Sequence, residues 1–387
     1  MMTKGDPPAG VGEKVADVLR AAYYYALVDG HGVVDPGQVL VAAARNDDRA
    51  ARVLGKQVVD ARTTTPQRKS PEIADHVDSP QGGYAGALRE ACWWVLRDSP
   101  EVERGSVPVW STAVGAALDR AAASARSAGV TRLDVPHLLL GLLEPAEPSV
   151  AALIDRVGLD IAAARLRVEA GDLSVDPAPF VPLFDLLRMA GATQSRAPWL
   201  VRWVPGWVAR FAGREAKWGG PVMPCLEREV MRQAVMAGHD IVQSSDVLLA
   251  IVSLDLQLAA AGERLAAAYL PNNQGGGLLD EAGFDLEEAQ SVAVSLIEER
   301  EVLSVDESSS RFWDTGKLGD PLWSVVATRV MDRATGIARE HGHHNAGSSH
   351  LLAAVLVEDG AAGHLLAELN LDREDLRQRV SHQLAQS

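Results

Sequence analysis

One short phrase occurs four times in this chain, and a repeated unit constrains a fold more than bulk composition does. Near the C-terminus it reads Gly342-His343, then His350-Leu351-Leu352 seven positions after the first histidine. The same frame fits Gly238-His239 with Asp246-Val247-Leu248, Gly129-Val130 with His137-Leu138-Leu139, and Gly30-His31 with Gln38-Val39-Leu40. An alanine stands five residues before the His/Val position in every copy: Ala26, Ala125, Ala234 and Ala338. A chain that repeats one small unit four times is read first as an array.

The second copy gives the clearest local reading. Ser111 to Ala128 is alanine-rich with apolar residues at helical spacing, which predicts a helix. Gly129 ends it, because glycine adopts positive φ freely. Asp134 is placed to cap a second helix, Val135 to Leu143. A third follows from Val150 to Val157, stops at Gly158-Leu159-Asp160, and gives way to a fourth from Ile161 to about Glu169. The fourth copy repeats these details. Trp323-Ser324 stands nineteen residues before Gly342, as Trp110-Ser111 does before Gly129. Asp332-Arg333-Ala334 matches Asp119-Arg120-Ala121. The third copy exits through Leu278-Leu279 and Gly283-Phe284-Asp285, delayed by an insertion that ends in a loop, Pro271 to Gly277. The first copy fades after Val53-Leu54-Gly55.

Copies two and four share features that one and three lack, so the chain reads as a duplicated pair. The expected fold is all-α: two tandem helical domains, each a pseudo-symmetric pair of four-helix repeats. The first spans 13–170, with a loop insertion at about 57–109; a Trp-rich connecting segment covers 171–220; the second spans 221–387, with the insertion at about 254–277. Within the first insertion, Pro66 to Gly83 reads as a loop and Ala85 to Leu96 as a helix that packs on the first pair. Aromatic content of only 5% and abundant alanine favour helices over sheets.

These units resemble the Clp amino-terminal repeat, which occurs in pairs at the front of Clp/Hsp100 unfoldases of the ClpA and ClpC types. His137-Leu138-Leu139 and His350-Leu351-Leu352 carry the resemblance best. It implies a non-catalytic docking domain that receives peptides, protein partners of the Clp system or cyclic-peptide natural products. The AAA+ motor is not expected here: the nearest approach to a phosphate loop is Gly316-Lys317-Leu318, whose Leu318 cannot ligate magnesium. Where ClpC-like members carry a glutamate before the motif histidine, this chain has Gly37, Pro136, Ser245 and Ser349, so no carboxylate is present to pair with phosphoarginine. Where the family has a Phe opening the first helix near its cyclic-peptide pocket, this chain has Trp110 and Trp323. Both are candidate ligand anchors, with Val11, His137 and His350 completing the set; the alternative is that the tryptophans staple helix starts to the core and that the histidines are structural. A stand-alone docking protein could sequester an antibiotic or a degradation signal.

A net charge of -15 excludes general nucleic-acid binding, which needs a basic surface. Two cysteines make no disulfide framework, and the N-terminal residues lack the apolar stretch of a signal peptide, so a cytoplasmic protein is expected. Cys92 sits in an apolar helix and reads as inert; Cys225 starts a helix, where the dipole lowers a thiol pKa. His341, His343, His344, His350 and His364 cluster without a completing Cys or carboxylate, so neither a metal site nor a cofactor is expected. Trp199, Trp203, Trp207 and Phe211 recur every four residues, with Arg202, Arg210 and Arg214 around them. They are candidate partner contacts; the alternatives are a plug between the pairs and a structural or membrane-associated role.

Overall fold

The computed structural model describes residues 10–61, 83–99, 107–144, 147–195, 220–296, 301–305, 307 and 315–387. The fold is all-α, with three pairs of two-residue parallel strands among the described residues, and the chain divides into two compact units, Met1–Phe180 and Val181–Ser387. Each unit holds two copies of the repeat.

In the first unit, copy one comprises α1 (Glu13–Val28), α2 (Pro36–Asn46), α3 (Asp48–Leu54) and the short α4 (Lys56–Val59). An added helix, α5 (Ala85–Asp98), packs on α1. Copy two comprises α6 (Thr112–Ser127), α7 (Val135–Leu142), α8 (Pro148–Val157) and α9 (Ile161–Glu169), within two residues of the limits expected from sequence. Leu19, Leu40, Leu118, Leu133 and Leu138 are fully buried and form the core. The helices α6 and α7 lie so close that a Cβ added at Gly141 would sit 2.2 Å from the Ala117 carbonyl oxygen. Only glycine fits there.

The second unit opens with α10 (Pro182–Met189), which packs on α11 (Val222–Ala237) and α12 (Ser244–Ala260). Copy three continues with α13 (Gly275–Glu281) and α14 (Leu286–Ala293). Copy four comprises α15 (Val325–Glu340), α16 (Ser348–Val355), α17 (Ala361–Glu368) and α18 (Arg373–Gln386). Helix α10 also explains an anomaly. Its neighbour α11 buries charged residues, among them Glu229 and Arg232. Glu229 accepts hydrogen bonds from Arg232 (2.8 Å), Gln233 (2.7 Å), Ser253 (2.6 Å) and Gln257 (3.2 Å), while Gln257 Oε1 accepts the Leu183 amide of α10 (2.8 Å). All four bonds end on Oε1, and a buried carboxylate with such partners is tolerated where an unpaired one is not.

Two connections are described in part by the structure. The described parts of 171–220 are built into the units: Asp176 accepts the Thr131 amide (2.8 Å), the Ala178 carbonyl accepts the Glu13 amide (3.0 Å), and residues from Val181 onward belong to the second unit. The insertion of copy three is not a simple loop either. Helix α12 runs on to Ala260, and Gly275 begins α13. A Cβ at Gly275 would lie 2.6 Å from the Ser348 carbonyl oxygen, and one at Gly276 would lie 2.4 Å from Asp255 Oδ2, so this glycine run serves close helix packing.

The strands join the copies reciprocally. Within the first unit, β1 (Gly10–Val11) opens copy one and pairs with β4 (Arg132–Leu133) in copy two, while β3 (Val109–Trp110) opens copy two and pairs with β2 (Val33–Val34) in copy one. The registers correspond, Val11 with Leu133 and Trp110 with Val34. In the second unit β5 (Ile241–Val242) pairs with β6 (Leu322–Trp323), setting Val242 opposite Trp323.

Candidate peptide-docking site

The repeated phrase is a device for turning one helix into the next. In all four copies the glycine takes a positive φ: 70° at Gly30, 76° at Gly129, 83° at Gly238 and 71° at Gly342. The residue after it donates its amide to the alanine five back, at 2.8 Å (His31 to Ala26), 3.1 Å (Val130 to Ala125), 2.9 Å (His239 to Ala234) and 2.8 Å (His343 to Ala338). The glycine amide reaches the carbonyl three back, as in Gly129 to Arg126 at 3.0 Å. Together these bonds are a Schellman cap, which satisfies the last carbonyls of the lead helix. The alanine is small because it lies in the core.

Four residues beyond each Gly-His/Val pair, a new helix is capped from within. The fourth residue of the motif accepts the backbone amide of the residue preceding that helix: Asp35 to Gln38 Oε1 (2.8 Å), Asp134 to His137 Nδ1 (3.4 Å), Gln243 to Asp246 Oδ2 (2.8 Å) and Gly347 to His350 Nδ1 (3.1 Å). Gln, His and Asp share this place because each offers an acceptor at the reach of a capping box. His137 is 1% exposed and His350 is 0% exposed, so neither presents its ring to a ligand. With His350 Nδ1 accepting, its Nε2–H donates to His343 Nδ1 (2.9 Å). Burial, then His343 and His341, push the His350 pKa down to about 4. In copy three the pair becomes His239 Nδ1 beside Asp246 (3.0 Å).

Val11, Trp110 and Trp323 all lie on the short strand that opens a copy, but in different surroundings. Trp323 is 0% exposed: its ring anchors the start of α15 in the core, with no face open to a ligand. Trp110 is half-buried, its ring 5.5 Å from that of Tyr23 and its Nε1–H donated to the Leu88 carbonyl (3.0 Å) of α5. The indole donor expected to serve a peptide is therefore already engaged. Val11 is partly exposed.

The backbone around these residues provides what the side chains do not. Ladder bonds use the amides on either side of each strand residue: Gly10 to Thr131 and Gly12 to Leu133, Val109 to Gly32 and Ser111 to Val34, Leu322 to Asp240 and Ser324 to Val242. The polar groups of Val11, Trp110 and Trp323 consequently face the outer edge. Two of these edges carry an extended segment of the chain itself. In copy four, Leu303 donates to the Trp323 carbonyl (2.9 Å) and Val325 donates to the Glu301 carbonyl (3.0 Å), forming an antiparallel bridge between Val302 and Ser324. In copy one, Glu13 donates to the Ala178 carbonyl (3.0 Å) and Gly12 bridges Pro179. In copy two, the Trp110 carbonyl and the Thr112 amide have no hydrogen-bond partner among the described residues. Thr112 is exposed. Sequence reasoning missed this edge because two-residue strands leave no periodic trace; the shared offset of Val11, Trp110 and Trp323 was the available signal.

Other candidates fall differently. Cys225 is 0% exposed, and burial pushes its thiol up to about 12, the opposite of the activation expected at a helix start. Burial likewise raises Cys92 to about 11. Asp255, raised by burial to about 6, lines a cleft of about 430 Å³ with Glu263, Arg264 and Leu270. Among the described residues no cluster of His, Cys, Asp and Glu could hold a metal ion, and no helix is long and apolar enough to cross a membrane. Trp199, Trp203, Trp207 and Phe211 lie outside the described residues.

Against known families, residues 324–387 match the Clp repeat (R) N-terminal domain. The match begins immediately after Trp323 and takes in α15 to α18. No curated protein matches the chain.

Proposed function

We propose, on the match of residues 324–387 to the Clp repeat N-terminal domain, that this protein is a non-catalytic docking protein that receives extended peptide segments or a protein partner of the Clp system. The observation that carries this reading is the bridge of Val302 on Ser324: within the matched unit, the start of the lead helix holds an extended segment through backbone bonds. Backbone pairing of this kind accepts many sequences, which suits a receptor for varied clients. Two units in one chain would also permit bivalent capture. A narrower form, sequestration of a cyclic-peptide antibiotic or a degradation signal, rests on the family resemblance and on Trp110, which is partly buried where Trp323 is wholly buried.

An array of overlapping peptides from an unfolded protein tests the general reading, with cyclic peptides titrated separately by calorimetry. Discrete peptide binders without ATP turnover are expected. An array with no binders would overturn the docking reading, and measurable ATP turnover would overturn the non-catalytic one.

A further inference from the structure

We propose that the outer edge of β3, formed by the Trp110 carbonyl and the Thr112 amide, takes an extended peptide from a partner as an added antiparallel strand. The inference rests on the docking reading above and assigns it a place and a ligand chemistry.

The argument comes from the molecule's own repetition. Val11, Trp110 and Trp323 are equivalent positions, and in each case the ladder turns the same backbone groups outward. Copies one and four show what such an edge accepts. The visitor is extended and antiparallel, and its carbonyl takes the first amide of the lead helix, Glu13 or Val325. Its bridging residue is Pro179 or Val302, and the residue after that is large and apolar, Phe180 or Leu303. The β-branched and proline residues suit an extended backbone. The edge of copy two, unpaired among the described residues, offers the same two groups in the same order. Its surroundings leave room for a strand: Thr112 is exposed and Val109 is 37% exposed. The partner segment is therefore an extended peptide with Val or Pro followed by Leu or Phe, held by its backbone and selected by those two side chains.

The probe is a capped peptide with the sequence of residues 301–305, Glu-Val-Leu-Ser-Val. It is titrated into the full chain by calorimetry and followed through backbone amide resonances. Binding is expected at one site, with the largest shifts at Trp110, Ser111 and Thr112. Thr112→Pro removes the donor without harming the helix, since proline is favoured at a first helical position; Ser111, at φ -72° and ψ 149°, already has the backbone that a following proline demands. That variant should keep its melting temperature and bind about tenfold more weakly, the effect of one lost hydrogen bond and its geometry. Unchanged affinity in Thr112→Pro would overturn the proposal while leaving the docking reading intact. So would shifts confined to Trp323–Val325, which would mean exchange with the resident segment. Binding that appears only after residues 100–106 are replaced by Gly and Ser would identify the chain itself as the occupant and also overturn it. If neither this peptide nor any array peptide binds, the proposal and the docking reading fall together.

Discussion

Trp110 and Trp323 occupy one place in two copies of the same unit, each nineteen residues before the glycine that ends the lead helix. Trp323 is wholly buried, and residues 301–303 lie along its strand; Trp110 is half-buried, its indole is tied to α5, and its strand edge is unpaired among the described residues. The caps, the turn and the strand pairing are alike in the two copies. The difference lies in what covers the edge, so in this fold the scaffold and the surface it exposes vary independently.

The strongest way to test the contrast is to truncate both rings. Trp323→Ala should cost about 4 kcal/mol, the usual range for emptying a large buried site, and Trp110→Ala about half that, since Trp110 is only partly buried; denaturant titration of each variant gives the two values. Equal losses would show that the rings are buried alike. Gly141→Ala should follow, at about 2–3 kcal/mol, because the new methyl would collide with the Ala117 carbonyl. The other copies carry Ala42, Ala250 and Ala354 at that place, so a tolerated alanine would mean that the α6–α7 approach is no closer than theirs.

The capping histidine gives a finer probe. His350→Leu leaves the Gly347 amide buried without its acceptor and should cost about 2 kcal/mol. His350→Gln borrows the solution of copy one and should preserve most of the stability at pH 7. The two residues differ in acid. His350 falls from an ordinary 6.5 to about 4 on folding, so between those values the unfolded chain binds a proton that the folded chain refuses. Stability therefore declines as pH falls through that window. His350→Gln should remove this part of the decline, roughly 1–2 kcal/mol between pH 7 and pH 5, as read from denaturation midpoints at the two values. The smallest expected effect is that of Leu303→Pro, about 1 kcal/mol for the lost bond to the Trp323 carbonyl. Its more telling consequence is that copy four should come to resemble copy two: calorimetry with the 301–305 peptide should then find a second site.

Much of this organisation is legible in the sequence because caps are local. Gly129 and Asp134 mark a helix end and a helix start whatever surrounds them, and both do so here. The role of His137 was harder to see, since a histidine before two leucines suggests a ligand as readily as a cap; the amide of Asp134 decides it. Tertiary contacts were illegible. Gly275 and Gly276 look like a loop because glycine disfavours helices, yet close approach to Ser348 and Asp255 places them at a helix start. Cys225 follows a proline at a helix start, the setting of a reactive thiol, but complete burial reverses its chemistry. The edge of copy two, unpaired among the described residues, stands out only when copies one and four are laid beside it.

The crossed strand pairs also bear on how the chain is made. Val11 of β1 finds Leu133 only after about 120 further residues have been synthesised. At ordinary translation rates that is a wait of roughly 6–24 s. Strand β1 of the first repeat therefore leaves the ribosome unmatched and gains its partner only when the second repeat emerges, so the crossed pairing of the first unit is completed by both repeats together.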